Sequence, residues 1–309
     1  MSAPLLVLIF TGLAAIVWSA CFLGCDGDFP GNIQNFYRYQ STVTGTPGLV
    51  AFWPLNDTSG TVAADLGPNH FNGTYATGPV VPTYNAAQQS DASPGTFALD
   101  QPNIVAGDTV NGNPDNPNPC VAFNGGYVSV PWQAALGPPT PGQFTLEAWV
   151  VSNWTLVDAQ TNPSFRTVVA SDADTPGMVA GFALFASPDN LWSASIGIGS
   201  QKATATTGDN QTIVQGSLYF LVVTYDGTTL RLWVNPADTT QPPDGMVAAS
   251  GYVPVASPVP LFIGTGRPDL PTPLFPFNGS IQDVAFYDVV LDGKTIETHF
   301  MNGAGLQVS

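Results

Sequence analysis

The clearest periodicity in the chain is strict alternation of apolar and polar positions. Phe144, Leu146, Ala148 and Val150 fall on one face and Thr145, Glu147, Trp149 and Val151 on the other, the period-two pattern of a half-buried strand. Leu221–Tyr225 and Thr228–Val234 flank Asp226-Gly227. Asp-Gly between two β-rich runs predicts a hairpin, because both turn positions take positive φ. In its second arm Leu230, Leu232 and Val234 face one way, Arg231 and Trp233 the other. Leu49–Trp53, Val121–Phe123, Tyr127–Val130, Pro260–Ile263 and Ile281–Tyr287 continue the strand pattern, and Asn124-Gly125-Gly126 marks a turn. Asp292–Phe300, with Lys294, Ile296 and Phe300, reads as a short helix. Many short strands with regular turns predict an all-β sandwich or jelly roll.

The N-terminal segment follows a different pattern. Pro4 to Gly24 carries no charge, and as a helix it would span about 30 Å, the thickness of a bilayer core. It is longer than the apolar region of an ordinary signal peptide and lacks a basic flank. Residues 1–25 therefore read as an apolar helix serving either as a membrane anchor or as a cleaved export signal, and Ser19-Ala20-Cys21 resembles a lipoprotein cleavage box. In each case the remainder is expected outside a cytoplasm, extracellular or surface-displayed, secreted or membrane-anchored through residues 4–24. Residues 26–47, polar and punctuated by Gly and Pro, read as a linker. The sandwich is expected over 48–303, followed by a tail, 304–309. Within it, 85–119 reads as a long loop or insertion.

Composition narrows the classes of function. Only 9% of residues are charged and the formal net charge is -16, against roughly 25% charged in an average domain. With six Lys and Arg in all there is no basic stripe to displace counterions, which excludes nucleic acid as a partner. Among 22 acidic residues only Glu147 and Glu297 are glutamates; Asp suits turns and oxygen-ligand sites. Three cysteines make no disulfide framework, although Cys120 could pair with Cys25 in an oxidising compartment; unpaired thiols are the other reading. His70 and His299 are the only histidines and no CxxC occurs, which excludes a zinc site.

Six segments in order carry a family resemblance: Leu49–Asp57 with Gly60, Ala64-Asp65, Asn72–Tyr75, Ala122–Pro131, Phe144–Val150 with Val223–Val234, and Phe277–Tyr287. The chain resembles the laminin-G-like domains of the concanavalin A-like lectin/glucanase superfamily over residues 48–303. It departs from the family pattern at Leu218-Tyr219, where Trp-His is usual, and at Asn235-Pro236, where Asp-Gly is usual. The resemblance implies a two-sheet antiparallel jelly roll, usually extracellular, often an accessory module that binds glycans or proteins.

Three candidate sites follow. A retaining glucanase needs two carboxyls about 5–5.5 Å apart; Glu147 has no acid at 145 or 149 and reads as the exposed polar residue of an alternating strand, so no catalytic residue is expected. Asp65 and Asp283 match positions where laminin-G-like domains place a structural calcium ion, and would converge if the first and last strands lie side by side. Their alternative roles are turn cap and surface polar residue, and Asp172-Ala173-Asp174 reads as a turn. Sugars are held by aromatic faces and neutral hydrogen-bonding groups. Trp132, Trp154 and Trp192 lie at expected strand ends or loops and are the candidate ligand platforms. Five Asn-X-Ser/Thr sequons, at Asn56, Asn72, Asn153, Asn210 and Asn278, are near chance for this composition. Two functions fit: a recognition module for glycans or a surface protein, and a structural component of a cell or virion surface that takes no small ligand.

Overall fold

In the computed structural model, which describes residues 39–80, 94–109, 117–138, 142–161 and 164–306, the alternating runs become strands. The first seven are β1 (Leu49–Trp53), β2 (Val62–Ala63), β3 (Gly73–Ala76), β4 (Gly78–Val80), β5 (Pro94–Gln101), β6 (Cys120–Asn124) and β7 (Tyr127–Val130). β8 (Phe144–Ser152), β9 (Arg166–Thr175), β10 (Met178–Ala186), β11 (Trp192–Gly197) and β12 (Lys202–Thr206) follow. The hairpin β13 (Leu218–Tyr225) and β14 (Thr229–Val234), then β15 (Gly245–Ala248), β16 (Leu261–Ile263) and β17 (Asn278–Tyr287) complete the set. Three α-helices accompany them among the described residues: α1 (Tyr39–Gly45), α2 (Leu156–Thr161) and α3 (Gly293–Gly303).

The strands form two antiparallel sheets. One runs β15-β14-β13-β8-β17-β6-β5-β4, with β1 also paired to β17; the other runs β12-β11-β10-β9-β16-β7-β3-β2. Neighbours far apart in sequence, such as β8 beside both β13 and β17, give the jelly-roll sandwich that the sequence predicts. Inward residues from both sheets, among them Leu146, Val150, Phe182, Trp192, Leu221 and Phe286, make the main core. The hairpin expected at Asp226-Gly227 is present, with Tyr225 opposite Leu230 and Gly227 at positive φ.

A second apolar cluster lies on the outer face of the nine-stranded sheet. There Trp149, Phe220, Val222 and Tyr287 are covered by Tyr39 and Val43 of α1 and Ile296 of α3. Trp149 stacks on Phe220 with centroids 4.6 Å apart. A Cβ at Gly303 would lie 2.2 Å from the Trp149 ring, so α3 seats this closely only with glycine there. Two expectations change as a result. Residues 39–45, read as part of a linker, form a helix whose Tyr39 and Val43 are fully buried. Glu147, read as exposed, is fully buried, because helices cap the face that alternation assigned to solvent.

Alternation breaks once with a structural consequence. Ile281, Val284 and Phe286 all reach the main core, which a regular strand forbids for 281 and 284. The ladder to β8 shifts between Gln282 and Ala285, and Asp283 takes φ 56°. This bulge inserts one residue and turns the Asp283 amide to Pro54 O at 3.1 Å. α3 begins where the sequence predicts, with Asp292 Oδ1 accepting from Thr295 N at 2.7 Å. Among the described residues no helix is long and apolar enough to cross a membrane; the segment 4–24 lies outside them. Cys120 is free and buried, its thiol donating to Pro102 O at 3.0 Å and pushed up to about 11 by burial; Cys25 is outside the described residues.

Candidate functional site

Among the described residues, α1 and α3 both pack on the nine-stranded sheet, and strand alternation decides what the outer face of the eight-stranded sheet presents. In β11, Trp192, Ala194 and Ile196 point into the core, so Ser193 and Ser195 point out. In β12, Ala203 and Ala205 pack inward and Lys202, Thr204 and Thr206 face out. In β10 the outward pair is Ala183 and Phe185; in β9 Thr167, Ala170 and Asp172 complete the surface. These short side chains leave a depression of about 400 Å³, within the range of small-ligand pockets. Its rim is raised by Phe165, Phe275 and Arg267 from two connecting segments and by Pro188 and Asp189 from the β10–β11 turn.

Two kinds of surface meet there. Phe165 packs edge-on against both Phe185 and Phe275, with centroids 5.5 and 5.2 Å away, and Phe165 is 39% exposed. This apolar cluster borders hydroxyls, with Phe185 beside Ser193 in the β10–β11 ladder and Ser193 Oγ 3.0 Å from Thr206 Oγ1. The charges are paired. Lys202 Nζ donates to Asp172 Oδ2 at 2.9 Å and lies 3.8 Å from Asp174. Arg267 grips both carboxylate oxygens of Asp269, at 2.9 and 3.0 Å, and donates to Asp174 O at 3.1 Å. Asp172 is 4% exposed, and its Oδ1 has no hydrogen-bond partner. Burial pushes its carboxyl above the ordinary range, against the pull of Lys202.

The predicted platforms fare differently. Trp132 is partly exposed and donates to Val255 O at 3.3 Å. Trp154 and Trp192 are buried in the main core and offer no face to a ligand. Trp154 donates to Asn190 Oδ1 at 2.8 Å, with the Arg166 guanidinium 4.9 Å from its ring centroid. Trp154 also meets Trp192 edge-on, with centroids 6.3 Å apart, so core packing is the role of both.

Asp65 and Asp283 both flank β1, on opposite edges. Asp65 Oδ1 accepts from Phe52 N and Gly67 N at 2.7 Å each, and Oδ2 from Phe71 N at 2.6 Å. Its carboxylate thus locks the loop after β1 onto that strand's free edge. Asp283 lies within β17, at its bulge, among other acids. Burial foremost, then the Asp108 carboxylate and Glu147, push it well above the ordinary range. Asp108 is itself buried, held by Asn118 Nδ2 and Gln282 Nε2 at 2.9 Å each. The structure therefore gives the two predicted metal ligands separate sets of partners. Among the described residues no three His, Cys, Asp or Glu cluster in a metal-holding arrangement.

Glu147 anchors the other buried network. It accepts from Tyr287 OH at 2.9 Å and Tyr39 OH at 3.3 Å, and His299 Nδ1 lies 2.9 Å from Oε2. His299 Nε2 is 2.9 Å from Thr46 Oγ1. Glu147, Tyr39, Tyr287 and His299 are buried between α1, α3 and the nine-stranded sheet, away from the pocket.

The pocket residues were not singled out from sequence. Asp172, read as a turn residue, sits inside β9. The alternation in Trp192–Ile196 and Lys202–Thr206 was a usable signal for the hydroxyl rows; the three phenylalanines come from separate segments that only folding assembles.

Residues 124–297 match a laminin-G family model described as the concanavalin A-like lectin/glucanases superfamily. No curated protein matches the sequence. A Trypanosoma rangeli sialidase mutant displaying trans-sialidase activity is 18% identical with TM-score 0.47; the match covers 86% of this chain and 35% of that one. The chain thus spans about a third of the sialidases it matches. The binding domain of botulinum neurotoxin serotype C1 is 12% identical, TM-score 0.49, covering 84% and 52%. Domain 4 of an extracellular arabinanase from Geobacillus stearothermophilus, solved with arabinotriose, is 13% identical, TM-score 0.48, covering 81% and 97%.

Proposed function

The chain belongs to the concanavalin A-like lectin/glucanase superfamily, and on that premise we propose that it is a non-catalytic recognition module that binds glycans in the pocket on its eight-stranded sheet. One observation carries this reading: an apolar cluster of Phe165, Phe185 and Phe275 borders rows of serine and threonine hydroxyls in a depression of about 400 Å³. A pyranose ring has one face of C–H bonds and an edge of hydroxyls, and this pairing of surfaces complements both.

The non-catalytic part rests on the carboxyls. Glu147 is buried under helices on the opposite sheet. In the pocket, Asp172 is engaged by Lys202 and Asp189 is an exposed turn residue, which is not the matched acid and base that glycoside hydrolysis requires. Surface display, by anchoring or export through residues 4–24, completes the proposal.

The test is a glycan array probed with the full chain and with Phe185→Ala. Specific signals that Phe185→Ala weakens at least tenfold are expected, without release of reducing sugar from the bound glycan. Absence of any glycan signal, or a signal indifferent to Phe185→Ala, overturns the assignment of the pocket.

A further inference from the structure

We propose that the pocket seats two or three linked sugar rings laid across β9 to β12, with Ser195 and Thr204 holding the ring at the β12 end. The inference rests on the glycan-binding reading and adds the ligand's length, its course over the sheet and its polar anchors. Strand register is the starting point. Ala170 stands opposite Ala183, Ala183 opposite Ser195, and Ser195 opposite Thr204, so four small outward residues form one row across four strands. Three strand spacings make this floor about 14 Å long, and a linked pyranose advances a chain by a distance close to a single spacing. The floor stops at Phe262, which stands opposite Ala170 in the next strand. At its other end β12 is the edge of the sheet and Thr204 is exposed.

The neighbouring rows turn this floor into a groove. Thr167, Phe185, Ser193 and Thr206 run along one flank. On the other, Asp172 stands opposite Gly181 and Lys202 opposite Gly197. Lys202 Nζ meets Asp172 Oδ2 at 2.9 Å, so this ion pair stretches over β10 and β11, where the two glycines leave it room. The groove is apolar at its β9 end, with Phe185 beside Ala183, and polar toward β12.

Hydrogen bonding picks out the anchors. In the flanking row Ser193 Oγ and Thr206 Oγ1 bond to each other at 3.0 Å. In the floor, neither the Ser195 nor the Thr204 hydroxyl has a protein partner among the described residues. Ser195 is 3% exposed and lines the depression, and its Oγ is not sealed off as Asp172 Oδ1 is. A nearly buried hydroxyl without a partner gains one when a ligand fills the groove. Each of the two hydroxyls can donate and accept. Side chains directly opposite on antiparallel strands have Cβ atoms about 5 Å apart, a span that hydroxyls on one ring edge can bridge. The preceding ring, over the two alanines, meets methyl groups and the phenylalanine cluster and is held by its C–H surface.

The experiment measures binding of cello-, manno-, xylo- and galacto-oligosaccharides of one to five units to the full chain, by calorimetry and, for single sugars, ligand-observed NMR. Truncations of any glycan selected by the array are measured in the same way. In the series that binds, affinity should rise at least tenfold from one unit to three and change less than twofold beyond. Ser195→Ala and Thr204→Val should each weaken the trisaccharide at least fivefold and the single sugar much less, so that the gain from added rings shrinks.

The length series on the wild type needs no variant, so it decides even if Ser195→Ala folds poorly. A single sugar binding as tightly as its oligomers, affinity still climbing beyond three units, or both hydroxyl variants without effect overturns the inference. If Phe185→Ala still abolishes glycan binding in that event, the glycan-binding reading survives; if no glycan binds the wild type, that reading fails and this inference with it.

Discussion

Asp283→Asn should make the protein more stable at neutral pH and leave it unchanged in acid. Asp283 is fully buried at the β17 bulge, with burial first and the Asp108 and Glu147 carboxylates next in holding its proton. In the unfolded chain an aspartate titrates near 3.9. Below that pH both states carry the proton and nothing is lost. As pH rises, the unfolded chain releases it and the folded chain does not. Folding then weakens by about 1.4 kcal/mol per pH unit for as long as the folded chain keeps the proton. Asparagine has the same shape, tolerates the observed φ of 56°, and brings no charge to bury beside Asp108 and Glu147. The expected gain is about 1.4 kcal/mol for each pH unit above 3.9 over which the folded chain keeps the proton, shrinking toward zero at pH 4, read from urea unfolding monitored by tryptophan fluorescence. A variant no more stable than wild type at pH 7, or a gap that does not change between pH 4 and 7, would refute the reasoning. The opposite sign, a loss seen with calcium and absent in chelator, would place Asp283 on an ion as the sequence suggested.

Asp65→Ala removes an acceptor of three backbone amides and should cost about 3 kcal/mol; an equal loss in calcium and in chelator identifies those amides, not an ion, as its partners. Glu147→Gln replaces a buried carboxylate that serves Tyr39, Tyr287 and His299, and should destabilise by about 3 kcal/mol in chemical unfolding, whereas a solvated glutamate would show almost no change. Trp192→Ala empties the main core and should cost about 3–5 kcal/mol. Near-native stability together with selective loss of glycan binding would return Trp192 to the role of a platform.

The architecture was legible in the sequence because strand periodicity is a local property. The Phe144–Val151 alternation, the Asp226-Gly227 turn and the short helix over Asp292–Phe300 each need only a few neighbouring residues, and each is present in the fold. The six ordered segments supplied the sandwich. What periodicity gives is two faces of a strand, not which of them meets solvent. Glu147 and Trp149 fell on the face opposite the core, and whether that face is wet depended on α1 and α3, whose docking is a long-range event. The tryptophans show the converse: Trp154 and Trp192 lie near strand ends, yet the closing layer of the sandwich buries them. Asp283 was expected to meet Asp65, but a one-residue bulge and the pairing of β1 with β17 set it against Asp108 instead. The pocket depended most on tertiary structure. Its hydroxyl rows follow from alternation, but its phenylalanines and the unsatisfied oxygen of Asp172 belong to segments that come together only when β9 to β12 and the loop before β17 pack side by side.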